Sequence, residues 1–213
     1  MQRVGVTLVT LLGLAVSGCL AQEWELGVAG GYGYSRDATV NTAAGDGEAG
    51  FKHGALVSAV VGNNMYSHVG GELRYVYRLG DLNVRGGGQE ASFSGESHLI
   101  HYDLLIHAAK KGARVRPFAA VGGGVRVFRG TGTEVSYQPA SKYALLTKTQ
   151  ELEGLISVGG GVKIAVSRSV SFRLDFRDYI TRFPTGVIAP APGAKIDGWL
   201  HDLASMAGIS FTF

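Results

Sequence analysis

The chain has 213 residues, of which 20 are Lys or Arg and 17 are Asp or Glu, for a formal net charge of +3. So small an excess argues against a dedicated nucleic-acid binder, which gathers basic charge on one face. With 33 glycines and 5 prolines, the composition favours strands and turns over helices.

Arg3 is the only charged residue before Glu23, residues 4 to 16 form a largely apolar run, and small residues follow. A basic start, an apolar middle and a small-residue end read as a secretory signal. The run is too short to span a bilayer as a helix, which takes about 20 apolar residues. Cys19-Leu20-Ala21 offers a small-x-small cleavage site, giving residues 1–21 as signal and 22–213 as the mature domain. Val16-Ser17-Gly18-Cys19 offers a lipobox instead, which would leave a lipidated Cys19. Cys19 is the only cysteine, so no intramolecular disulfide is possible. Loss of residues 1–21 removes one Arg, leaving 19 basic against 17 acidic residues.

Eight segments then alternate apolar and polar. The first is Trp24, Leu26, Val28, Gly30, Tyr32, Tyr34, interleaved with Glu25 and glycines. The second sets Ala55, Val57, Ala59, Val61 against Gly54, Leu56, Ser58, Val60, with its facing the least defined. The third sets Leu73, Tyr75, Tyr77, Leu79 against Glu72, Arg74, Arg78. The fourth sets Ile100, Tyr102, Leu104, Ile106 against His101, Asp103, His107. The fifth (from Phe118 to Phe128) and sixth (from Leu155 to Ile164) carry Arg126 and Lys163 on glycine-rich faces. The seventh sets Val170, Phe172, Leu174, Phe176 against Arg173, Asp175, Arg177. The eighth runs from near Trp199 to Phe211 and Phe213. Period two means strands with one apolar and one polar face. Segments of about 9 to 14 residues match tilted membrane-spanning strands better than the 5 or 6 of ordinary sheets.

The connections also alternate. Residues 35–50, 80–96, 130–150 and 181–198 are long, while 62–67, 109–115 and 167–169 are short. Transmembrane barrels have long external loops and short periplasmic turns. A closed barrel is also the strand structure that satisfies its backbone in lipid. The expected fold is all-β, an eight-stranded antiparallel up-and-down transmembrane β-barrel with both ends periplasmic. These segments, the SFRLDFRDY strand and the terminal GISFTF resemble the small outer-membrane barrels of the OmpA/OmpX-like group. The resemblance covers residues 23 to 213. It implies a Gram-negative outer-membrane location, a monomer, and Phe211 and Phe213 as the assembly signal. It also implies outer-membrane lipid, the barrel-assembly machinery and periplasmic chaperones as partners. No periplasmic wall-binding domain is expected after Phe213.

Period two alone does not decide which face meets lipid. A lipocalin-like soluble barrel would bury Phe172, Leu174 and Phe176. Glycines on the polar face (Gly31, Gly122, Gly124, Gly159, Gly161) and aromatics near strand ends favour lipid outside and ions inside. Glycine there is expected to make room for Arg126 and Arg173. The lumen candidates are then Glu72, Arg74, Arg78, Asp103, Arg126, Lys163, Arg173, Asp175, Arg177 and Asp202. An eight-stranded barrel is just wide enough for side chains to fill, and buried charges need partners. A plug of ion pairs is expected, with a narrow arginine-lined pore as the alternative.

Other motifs carry less. The glycine runs at 122–124 and 159–161 lack the helix and the Gly-Lys-Ser/Thr ending of a phosphate loop. His101 and His107 share a face but stand about 20 Å apart at strand rise, so neither a metal nor a cofactor is expected. Glu96, Ser97 and His98 suggest hydrolase chemistry such as lipid A modification, yet adjacent strand residues point to opposite faces. The expected role is non-enzymatic: structural, or adhesion and ligand capture by the external loops.

Overall fold

The computed structural model describes residues 24–213 except 44, 136 and 197. The signal segment and Cys19 lie outside the described residues. Fifteen strands follow in order: β1 (Trp24–Ser35), β2 (Ala38–Thr42), β3 (Gly45–Phe51), β4 (Gly54–Asn63), β5 (Val69–Leu79), β6 (Leu82–Gly86), β7 (Gln89–Phe93), β8 (Gly95–His107), β9 (Val115–Gly130), β10 (Ala144–Leu146), β11 (Gln150–Ala165), β12 (Val170–Arg182), β13 (Ile188–Pro190), β14 (Lys195–Ile196) and β15 (Trp199–Thr212). Eight of them close a barrel in the order β1-β15-β12-β11-β9-β8-β5-β4. Every barrel pair is antiparallel, and the ring is sealed where β1 pairs β15. These are the eight segments read from the sequence, several extended at the loop end.

Burial assigns the faces. Phe172, Leu174 and Phe176 are 37%, 42% and 52% exposed, whereas Arg74, Arg126 and Arg177 are 0% exposed. The lipocalin arrangement is therefore inverted here: the apolar stripe faces out. Exposed Leu26, Val57, Leu104, Val121 and Ile156 continue that stripe around the barrel. Such a surface has no place in water, since monomeric soluble proteins rarely expose contiguous apolar patches beyond a few hundred Å². Tyr34, Tyr75 and Trp199 edge the belt toward the loops and Trp24 and Phe211 toward the turns, the two aromatic girdles of a membrane barrel. Phe211 stacks on Phe213 with centroids 6.2 Å apart. Leu174→Arg should cost about 2 to 4 kcal/mol at mid-bilayer, read by urea unfolding in lipid vesicles; a cost below about 0.5 kcal/mol is that of a water-facing site.

Most of the inward glycines have a different cause from the one expected, although a Cβ on Gly33 would meet the Arg78 side chain, 2.5 Å from its Nε. A Cβ on Gly122, Gly124, Gly159 or Gly161 would run into the backbone carbonyl of the neighbouring strand, at Tyr102, Ile100, Phe176 and Leu174 respectively. The tight inward curl of the sheet, more than arginine bulk, excludes a side chain. Arginine contributes at Gly159, where that Cβ would also lie 2.8 Å from Arg177 Cδ. The two glycine runs sit on adjacent strands, with Val121 opposite Val158.

The long connections depart most from expectation. Expected as long external loops, they instead fold into a cap. β14-β2-β3-β6-β7 form a five-stranded sheet, and β10 pairs β13. The β6–β7 hairpin turns through Gly87 (φ 57°) and Gly88 (φ 75°), with Gly86 paired to Gln89. Two successive positive φ values make the I′-like turn whose twist suits a two-residue hairpin. Val40, Phe51, Leu82, Val84, Phe93, Tyr143, Leu146, Phe183 and Ile188 form the cap's core. Phe128 and Leu200, on the barrel strands β9 and β15, belong to the same cluster, so the cap roots in the barrel mouth. On its surface, Arg85 Nη2 donates to Asp37 Oδ2 at 2.5 Å. That hydrogen bond, with the carboxylate's charge, raises the guanidinium above its ordinary value.

Candidate functional site

The polar face of every barrel strand converges on the lumen, where side chains stack in layers. The central layer is built around Glu72 on β5. Its Oε1 accepts from Arg74 Nη2 at 2.7 Å and from Arg177 Nη2 at 2.9 Å, and its Oε2 accepts from Arg173 Nη2 at 2.9 Å. Asp175 sits between the same arginines, at 2.8 Å from Arg173 Nε and 3.1 Å from Arg74 Nη2. Arg177 Nη1 reaches Asp103 Oδ2 at 2.7 Å, and the other Asp103 oxygen lies 3.1 Å from His101 Nδ1. Lys163 donates to Glu25 at 2.5 Å, and Arg173 stands 3.4 Å from the same carboxylate. Glu25, Glu72, Asp103 and Asp175 thus face Arg74, Lys163, Arg173 and Arg177, four charges against four. An equal count with multiple hydrogen bonds is the condition under which buried ions are tolerated. Arg173, Arg177 and Lys163 also lie 5.5, 5.8 and 5.8 Å from the Phe118 ring centroid, within cation–π range.

An apolar layer separates this network from the loop end: Leu56, Val76, Leu99, Leu155, Tyr179, Ala204 and Met206. Above it Asp202 pairs with Arg126 at 2.9 Å and Arg78 at 3.1 Å. Ser35 Oγ donates to Asp202 Oδ1 at 3.2 Å, and Ser97 Oγ accepts from Arg126 Nη2 at 3.0 Å. The uppermost layer is aromatic. The Arg126 guanidinium lies 4.4 Å over Phe128, which stacks on Phe51 at 5.1 Å.

All the lumen candidates named from the sequence lie on this inner face, in two groups. Arg78, Arg126 and Asp202 form the upper one, and the others gather in the central layer. Glu25 and Arg116 belong to the lumen but were missing from that set. Glu25 has the inward parity of the first segment and could have been found there; Arg116 precedes Phe118, where the alternation of the fifth segment begins. Ser97 and His98 part as their adjacency requires. Ser97 points inward to Arg126, and His98 points outward, its Nδ1 2.8 Å from Tyr75 Oη. His107 and His101 occupy different layers.

No family model matches the chain, and no curated protein matches it. Solved structures do. Neisserial surface protein A (NspA) aligns with a TM-score of 0.53 at 10% identity, over 89% of this chain and 97% of its own. OprG, an outer membrane protein from Pseudomonas aeruginosa, aligns with a TM-score of 0.54 at 10% identity, over 90% of this chain and 97% of its own. At such identity the likeness is one of fold. The chain carries the fold of the small eight-stranded barrels of the Gram-negative outer membrane, with the outward apolar belt that a bilayer requires.

Proposed function

We propose that the protein is a non-enzymatic outer-membrane barrel that displays its cap for surface interaction, adhesion or ligand capture, above a lumen closed to diffusion. The observation that carries this reading is the common core of cap and barrel mouth: Phe51 from the cap packs on Phe128 from β9, directly above the Arg78–Arg126–Asp202 cluster. A display role benefits from a rigid platform, and a shared apolar core supplies it. The full burial of Phe128 in the aromatic layer and of Arg74, Arg177 and Asp103 in the central ion network supports a plugged lumen over the diffusion pore.

Planar bilayers test the closed lumen. The purified barrel should give no steady single-channel current, and a stable unitary conductance would defeat the reading. Deleting the β6–β7 hairpin, residues 82–93, should abolish a surface-binding phenotype while heat-modifiable gel migration persists. Lipid A from cells expressing the protein should show no mass change; a lost or gained acyl chain would mark an enzyme instead.

A further inference from the structure

At the turn end the lumen opens into a pocket of about 250 Å³ that the ion network does not fill. Arg116, Lys163, Lys111 and Arg168 line it, and Glu25 is the one carboxylate among its described lining residues. Glu25 is already engaged by Lys163 and Arg173. The basic side chains stand at separate places around the cavity: β9, β11, and the turns before β9 and before β12. Lys111 reaches back to the Asn64 carbonyl at 3.5 Å.

Arg116 points to a ligand independently of this charge. It is 8% exposed. Its Nη1 donates to Asn64 Oδ1 at 3.2 Å and its Nη2 to the Ser67 carbonyl at 3.5 Å. Its Nε is buried and has no hydrogen-bond partner. A buried donor of a charged group left unmade is costly, and a native structure rarely leaves one without a reason. Beside it lies His107, 2% exposed, with both ring nitrogens likewise without a partner. His107 pairs in register with Phe118, two residues along β9 from Arg116. Arg116 thus lines a positively charged, water-accessible mouth with one of its donors unmet.

We propose that this periplasmic mouth is an oxyanion site that takes a phosphate group. Guanidinium and ammonium donors approaching from several directions suit a tetrahedral dianion, whereas a planar carboxylate is matched by one guanidinium fork. Arg116 and Arg168 supply charge that Glu25, already held by Lys163 and Arg173, does not neutralise. The phosphate can belong to a free ion or to the headgroup of a lipid in the leaflet facing the periplasm. This site is at the opposite end from the cap, and its test is independent of the cap's role.

The test uses the full mature chain refolded in a sugar-headgroup detergent, which brings no phosphate of its own. Inorganic phosphate is titrated by calorimetry, and a short-chain phosphatidate in parallel. Saturable one-to-one binding is expected, weakened at least about tenfold, or 1.4 kcal/mol, in Arg116→Gln. Arg168→Gln, on an exposed turn, should weaken it severalfold and keeps the test alive if Arg116→Gln fails to fold, as judged by heat-modifiable migration. Binding of phosphatidate alone, with the same losses, supports the site and assigns it to a headgroup. Absence of saturable binding for both probes, or binding unchanged in the folded variants, overturns the proposal.

Discussion

Glu72→Gln should lower the unfolding free energy of the barrel by about 3 to 5 kcal/mol, the cost of breaking a buried ion pair on one side. Three arginines converge on this carboxylate within 2.9 Å. The amide keeps the shape but turns two hydrogens toward guanidinium donors and leaves the four-against-four layer one positive charge in excess. Urea unfolding in phospholipid vesicles, followed by tryptophan fluorescence, measures the loss. Adding Arg74→Met restores the count, because Arg74 shares its carboxylates with Arg173 and Arg177. The double variant should therefore be less destabilised than the sum of the singles by about 0.5 to 3 kcal/mol. Strict additivity would mean that the layer's charge balance is irrelevant to stability. The exposed Lys52–Glu90 pair is the control: Lys52→Gln should change stability by no more than about 1 kcal/mol.

Phe128→Ala should be nearly as damaging, at about 3 to 5 kcal/mol for a fully buried Phe. The ring is 0% exposed, stacked on Phe51 and lying under Arg126. Its removal opens a void where cap and barrel meet and strips the apolar cover from Arg126. Cap loosening should appear first, as faster cleavage by external trypsin on intact cells while the membrane-embedded strands stay protected. A cap that resists trypsin as the parent does would show that its other core residues anchor it without Phe128.

The eight spanning strands could be read from residue parity because their environment is simple: hydrocarbon outside, ions inside, and every side chain on one or the other. Phe172, Leu174 and Phe176 alternating with Arg173, Asp175 and Arg177 state that environment directly. The cap was missed for the opposite reason. Its strands are 2 to 7 residues long, so none presents enough alternation to register, and its core collects three or four scattered apolar residues from each of four connections. The hairpin could have been seen: Leu82-Asn83-Val84 and Ala91-Ser92-Phe93 alternate around a Gly-Gly pair, a strong local hairpin signal. Partner choice inside the lumen was beyond reach. Glu25 and Lys163 lie 138 positions apart in sequence, and only closure of the ring brings them together. Parity gives the face of a charge but never its depth, and depth decides which carboxylate meets which arginine.

Strand β12 carries Arg173, Asp175 and Arg177, yet the acids that complete their pairing come from β1, β5 and β8. β5 lies diametrically across the ring from β12. A partly assembled sheet therefore holds two guanidiniums with a single carboxylate between them. The final seam is favoured from the far wall as well as by its own hydrogen bonds, so an intermediate gaping at one side is electrostatically disadvantaged. Cooperativity of insertion is thus written across the diameter of the cylinder.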